Sequence, residues 1–386
     1  MSASPPTRRP TSRRGSAIQP RSPARRSRPP GRCCRDEATP TSAGPPAPRA
    51  GLAPAATMTY DYRAHFGEVT LTQDLMSRRD ERRWRLTPAP ASGEHHDIVL
   101  YLGCNVLRTS HMVQTVTAIF DRLDLDYVAV GGPSYCCGIV HHTQGDVEAA
   151  RGMSQGTIRL FERFSPREVV MWCPSCIYFY DEVQQLALPF PFRQAAEFLV
   201  EHLPALRFTR EVSQRVALHY HVQNDSRRRE GAAGRTLLEA VPGLTFVPVE
   251  PEPRFGRICT AGVQQQLGLE AWTGLVWDEI ARAHAAGADT LATIYHGCQR
   301  LLCGFEARAP LAIEHYLSVF ARGLGIEFED TYKRWMLSGD PAAIMAEAAP
   351  CMEANGVEPA AARAFVERTF VPLRRPAPAA DASAPS

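Results

Sequence analysis

The chain has 386 residues, 44% hydrophobic and 22% charged, which suits a globular protein of about two domains. It contains no apolar run of about 18 residues, so no spanning helix is expected. The formal charge of +2 sums two unlike parts. Residues 1–57 hold 11 Arg against Asp36 and Glu37, a net of +9, and the remainder is −7, so the folded part has no basic nucleic-acid footprint.

Residues 1–57 also carry 12 Pro and almost no large apolar side chains. Such a stretch cannot offset its ordering entropy by burial. It lacks the apolar stretch of a secretory signal. It reads as a disordered tail, or as sequence ahead of a true start at Met58, in preference to a transit peptide or a nucleic-acid-binding arm. Cys33 and Cys34 within it receive no role. Residues 58–96 are a lead-in segment.

Short β-branched runs follow, bounded by Gly or Pro: Ile98–Leu102, Tyr127–Val130 and Val169–Trp172. They read as buried strands. Between them, Met112, Val113, Val116, Ile119, Phe120 and Leu123 keep helical spacing, with Thr109 or Ser110 placed to cap the start. Val147, Ala150, Met153, Ile158 and Phe161 suggest a second helix. Strand, helix, strand, helix, strand implies a parallel sheet with right-handed crossovers.

Each strand runs into cysteine. Cys104 follows the first, Cys136 and Cys137 the second, Cys173 and Cys176 the third. All five therefore fall at the carboxyl edge of the sheet, where open α/β sheets place ligands. The chain reads as cytoplasmic, where disulfides are rare, so metal or redox chemistry is the expectation. Packing alone explains single buried cysteines, not five converging on one edge. A structural zinc site takes four ligands, often as two CxxC knuckles, and only one CxxC is present. A thioredoxin-type CxxC has no need of Cys104, Cys136 and Cys137. Five thiolates suit an iron–sulfur centre.

The pattern then recurs about 120 residues later. Val216–Leu218 leads to His219 and His221, Leu244–Val247 towards Cys259, and Thr290–Ile294 to Tyr295, His296 and Cys298. Helical text fills the gaps, Leu237–Val241 and Trp272–His284. Thr260 and Tyr295 stand where the first copy has Cys137 and Cys173, and His219, His221 or Val222 fills the first slot, depending on alignment. Two readings stand for this second site. Either His219, His221, Cys259 and Cys298 bind zinc, with His296 and Cys303 in reserve, or the site has decayed and is kept for its fold. His111, His141 and His142 near the first site are either proton carriers or ordinary histidines.

The first five-cysteine motif, with Tyr135-Cys136-Cys137-Gly138 and Cys173-Pro174-Ser175-Cys176 at its heart, resembles the cysteine-rich CCG domain of the heterodisulfide reductase B subunit. The same domain occurs in the iron–sulfur subunits of glycolate oxidase, anaerobic glycerol-3-phosphate dehydrogenase and lactate utilisation systems. The resemblance covers about residues 95–310 and implies a pseudo-symmetric pair of α/β copies. It also implies one [4Fe-4S] cluster, noncubane in that family, on Cys104, Cys136, Cys137, Cys173 and Cys176. The second copy departs from the motif, and in some relatives it is degenerate or binds zinc.

The expected fold is thus α/β: two Rossmann-like βαβαβ repeats with parallel sheets, at 97–205 and 206–310. A helical C-terminal part, 311–373, and a loose end, 374–386, follow. Ile313, Tyr316, Leu317 and Phe320 read as one helical face, and Met345 to Val357 as part of a hairpin turning around Pro350, Gly356 and Pro359. These helices are expected to cover the sheet in preference to docking a partner.

No C-x2-C-x2-C-x3-C-P run and no G-x-G-x-x-G after a strand is present, so neither a ferredoxin-type cluster nor a nucleotide site accompanies the motif. The expected function is an iron–sulfur redox subunit of a heterodisulfide reductase-like complex. It would exchange electrons with a flavoprotein or ferredoxin-like iron–sulfur partner, or with a disulfide or thiol substrate. The alternative is a non-catalytic metal-bound scaffold or assembly factor.

Overall fold

The computed structural model describes residues 60–88 and 94–371. The two tail readings, 1–57 and 374–386, lie outside the described residues. After helix α1 (Tyr62–Met76) the chain enters the first repeat. Its elements are β1 (Ile98–Gly103), α2 (Ser110–Arg122), β2 (Tyr127–Gly131), α3 (Ile139–Thr143) and α4 (Val147–Glu162). Strand β3 (Glu168–Met171), α5 (Pro174–Tyr178), β4 (Phe192–Gln194) and α6 (Ala195–His202) complete it.

The second repeat matches it element for element. It comprises β5 (Arg215–His219), α7 (Asp225–Glu239), β6 (Thr245–Phe246), α8 (Ala261–Leu267), α9 (Leu269–Ala285), β7 (Thr290–Thr293), α10 (His296–Leu302), β8 (Ala312–His315) and α11 (Tyr316–Gly323). Both sheets are four-stranded and wholly parallel, in the orders β2-β1-β3-β4 and β6-β5-β7-β8.

Parallel sheets are covered on both faces, and β1 is apolar throughout for that reason. Side chains alternate along it. Ile98, Leu100 and Leu102 enter a core shared with the second repeat, and Val99 and Tyr101 enter a separate core with Phe161 and Phe164. The repeats meet through α2 against α11 and α6 against α7. Gln194 Nε2 donates across this junction to Ser226 Oγ at 2.6 Å.

Several local expectations are corrected. Thr109 does precede α2, but its hydroxyl turns back to the Val106 carbonyl at 2.7 Å and caps nothing. Ile313 lies in strand β8, so only Tyr316, Leu317 and Phe320 share the helix α11. The final helices are α12 (Thr331–Ser338), α13 (Pro341–Asn355) and α14 (Pro359–Phe370). Pro350 sits inside α13, on its exposed side, and the turn falls at left-handed Gly356.

Nor do α13 and α14 cover the sheets. With α1 and α12 they form a third core around Leu75, Trp335, Ile344 and Phe365. The Asn355 amide donates to the carbonyls of Asp74 and Ser77 at 2.7 and 2.9 Å and accepts from Arg79 N–H, which pins the lead-in segment there.

Candidate metal centres

Three strand ends build the first centre. Strand β1 stops at Gly103, whose φ of +75° turns the chain so that Cys104 comes under the edge. A Cβ at Gly103 would fall 2.9 Å from Cβ of Cys173 and 3.1 Å from Sγ of Cys176, so only glycine leaves this cradle open. Strand β2 leads through a short turn at Pro133–Tyr135 to Cys136 and Cys137. Gly138 (φ +92°) then starts α3, and a Cβ there would lie 2.4 Å from the Ala150 carbonyl oxygen. The Ser154 and Thr157 hydroxyls of α4 donate to the carbonyls of Cys137 and Cys136 at 2.7 and 2.8 Å, which fixes the pair. Cys173 and Cys176 straddle the start of α5, directly beyond β3.

All five cysteines are buried and none is paired in a disulfide. Each sulfur neighbours the next in the order Cys104, Cys136, Cys137, Cys176, Cys173, close enough to affect its ionisation. The Gly138 N–H points at Cys136 Sγ at 3.4 Å, and Cys176 Sγ lies 3.6 Å from the Tyr101 hydroxyl. Hydrogen bonds from Cys136 and Cys176 bring Cys137 down to about 6, and one from Cys176 lowers Cys173. The hydrogen bond to Cys136, and then burial, push Cys104 well up. Buried thiols gathered at one sheet edge suit a bound metal, which takes them as thiolates. A cleft of about 360 Å³ opens onto Cys136, rimmed by Ser134, Met153, Arg159 and Arg163.

The second centre occupies the same edge of the second sheet. The side-chain ligand atoms of His219, His221, Cys259 and Cys298 all lie within 4.8 Å of one another, and all four residues are buried. His221 Nε2 is 3.2 Å from Cys298 Sγ, and His219 Nε2 is 3.3 Å from Cys259 Sγ. Both rings thus present Nε2 to the sulfurs and turn Nδ1 outward. His219 Nδ1 meets Glu279 Oε2 at 2.7 Å, and His221 Nδ1 meets the Gly256 carbonyl at 3.0 Å. Holding the outer ring nitrogen in this way is how proteins fix a metal-binding imidazole. Burial opposes charge on His219, but Glu279 and Cys298 raise it to about 10. Burial likewise opposes charge on Cys298, yet hydrogen bonding to Cys259 and the two imidazoles hold it well below its ordinary value.

The strand register settles which residues correspond. Tyr101 pairs with Met171 as His219 pairs with Thr293, so His219 takes the place of Tyr101, and counting on from there puts His221 level with Gly103. Val222 then falls in the Cys104 slot. His296 and Cys303 stay outside the group of four. Cys303 is buried in the C-terminal core, and burial depresses His296 to about 3. Near the first centre, His141 stacks on Tyr62 with ring centroids 3.9 Å apart, and His142 lies against Phe179. His111 Nδ1 is 3.3 Å from Asp330 Oδ1.

Residues 98–179 match the family model of the cysteine-rich CCG domain. The first repeat is a CCG domain. The chain is also a distant homologue of the D subunit of the dihydromethanophenazine:CoB–CoM heterodisulfide reductase. Identity is 23% over 266 residues with the Methanosarcina mazei protein, covering 66% of this chain and 65% of that one. It is 22% over 265 residues with the Methanosarcina barkeri protein, covering 65% and 64%. The chain thus spans just under two thirds of the length of these relatives. Among solved structures, an aspartate racemase homologue from Pyrococcus horikoshii gives a TM-score of 0.29 at 10% identity, over 59% of this chain and 97% of that one, too slight a likeness to bear on function. Among the described residues no helix is long and apolar enough to cross a membrane.

Sequence reading misses Glu279. Its signal is a lone carboxylate on the apolar stripe of α9, seven residues after Trp272 and between Val276 and Ala283, all buried. It also misses Arg227 and Glu230, a buried ion pair at 2.7 Å on the inner face of α7.

Proposed function

We propose that this protein is an iron–sulfur redox subunit of a heterodisulfide reductase-like oxidoreductase complex. The observation that carries the reading is the CCG domain's five buried cysteines converging on one sheet edge around the Gly103 cradle. Cys104, Cys136, Cys137, Cys173 and Cys176 would hold one [4Fe-4S] cluster, of noncubane type by resemblance. Bound there, the cluster supplies electron transfer at a sulfur-rich centre. The protein's own residues bury the sulfurs and hold the Cys136–Cys137 turn through Ser154 and Thr157. They leave access over Cys136, where a disulfide or thiol substrate, or a flavoprotein or ferredoxin-like partner, would approach.

At the second centre, two His and two Cys without an open position suit a structural zinc ion. Glu279→Gln removes the carboxylate that orients His219, so zinc affinity is expected to fall about 10–100-fold in a chelator competition, with the fold retained.

Anaerobic purification with metal analysis and a redox titration tests the whole reading. About four iron and four sulfide per chain are expected, with a reversibly bleached visible band. Iron that does not cycle would favour the scaffold alternative, and absence of iron would end the iron–sulfur reading.

A further inference from the structure

Between the two centres lies a buried cation that neither needs as a ligand. Arg227, in the first turn of α7, is fully buried. Its guanidinium donates to Glu230 Oε2 at 2.7 Å, to the Tyr295 hydroxyl at 3.2 Å and to the Pro174 carbonyl at 2.8 Å. Pro174 directly follows Cys173, so the charge is seated on the CxxC turn of the first centre. On the other side, the Tyr295 hydroxyl donates to Glu230 at 2.5 Å, and its ring stacks on His221, with centroids 5.5 Å apart and planes 10° apart.

The fold does not require this pair. Arg227 and Glu230 are the third and sixth residues of α7, and the matching positions of α2 are Met112 and Thr115, both buried. Neither matching position carries a charge. Burying an ion pair usually gains no stability over an apolar replacement, because desolvation offsets the attraction. The presence of Arg227 then points to something in its surroundings. The nearest candidate is the five-cysteine centre, because Arg227 docks on the backbone of the motif itself.

We infer that Arg227 is a fixed positive charge that raises the reduction potential of the group held by Cys104, Cys136, Cys137, Cys173 and Cys176, with Glu230 holding it in place and moderating it. The inference rests on the iron–sulfur reading of that centre. Reduction adds negative charge, which a nearby desolvated cation stabilises. Arg227 is thus a positioning and tuning residue, not a ligand.

The test is a spectroelectrochemical titration of the visible band in full-length, anaerobically prepared protein, with iron counted in each variant. Arg227→Met should keep its iron and shift the reduction equilibrium at least tenfold towards the oxidised form, 59 mV lower for one electron. Glu230→Gln removes the opposing charge, keeps its hydrogen-bonding shape and should shift the equilibrium the other way. Arg227→Lys should stay within about threefold of wild type. Opposite shifts at full iron content are not produced by a merely structural role. Should Arg227→Met fail to fold, the Glu230→Gln shift still decides: a wild-type or lowered potential overturns the inference. An unmoved potential in Arg227→Met at full iron overturns the inference alone. Iron lost from both Arg227 variants makes Arg227 a structural support and also overturns it. Wild-type protein without iron overturns the iron–sulfur reading and this inference with it.

Discussion

Changing Cys136 or Cys173 to serine is expected to remove most of the iron and the visible chromophore from anaerobically prepared protein, while the far-ultraviolet circular dichroism stays that of the folded chain. The exchange keeps the side chain's shape. It replaces a soft, readily ionised sulfur with a hydroxyl that stays protonated and binds iron poorly. Cys136 lies between Cys104 and Cys137 in the chain of sulfur contacts, so its loss breaks the chain in the middle. Cys173 ends that chain beside the Gly103 cradle. The backbone around each is held by other groups, Thr157 on the Cys136 carbonyl and Arg227 on the Pro174 carbonyl, so folding should survive. Cys351→Ser on α13, far along the chain and outside both centres, is the control and should leave iron untouched. Full iron in both the Cys136 and Cys173 variants would refute the ligand assignment.

How far the sequence carries depends on where the physical signal is local. Strands β1, β2, β3, β5 and β7, and the Leu244–Val247 run that holds β6, announce themselves as short apolar runs. The edge strands β4 and β8 do not. Phe192–Gln194 is three residues with an Arg in the middle. Ile313 reads as helical because it sits three residues before Tyr316, a spacing that crosses the boundary between β8 and α11 unseen. Pro350 reads as a turn because a helix interior usually excludes proline, yet here it lies on the solvent side of α13.

The candidate centres show the same division. Convergence of the five cysteines follows from strand ends alone, so it is legible from spacing. The donors that surround the ligands come from elements distant in sequence: Glu279 lies 60 residues from His219, and Arg227 lies 53 from Pro174. Only the fold brings them in. The identity of the second centre's histidines is legible, but their slots are not. Strand register shows that His219 replaces Tyr101, and counting on from it puts His221 level with Gly103 instead of Cys104.

That substitution sets the expected result at the second centre. Cys259→Ala with Cys298→Ala should abolish zinc binding and leave the iron of the first centre unchanged. Two imidazoles remain, and two nitrogen ligands do not close a tetrahedron around zinc. The four groups come from β5, the loop just beyond it, the residue before the cap of α8 and the first turn of α10, so a bound ion ties three chain segments together. With free zinc a thousandfold above its dissociation constant, losing that tie would cost about 4 kcal/mol of stability, visible as a fall in the unfolding midpoint. The first centre draws no ligand from these segments, so its sulfur chain should stay intact. Metal analysis of the double variant separates the outcomes. Zinc lost with iron retained fits a His2Cys2 ion. No zinc in either protein, with an unchanged midpoint, fits a decayed site whose buried thiols only pack. Loss of about half the iron would mean that two cysteines and two histidines hold a cluster, and would restore a two-cluster reading of the repeats.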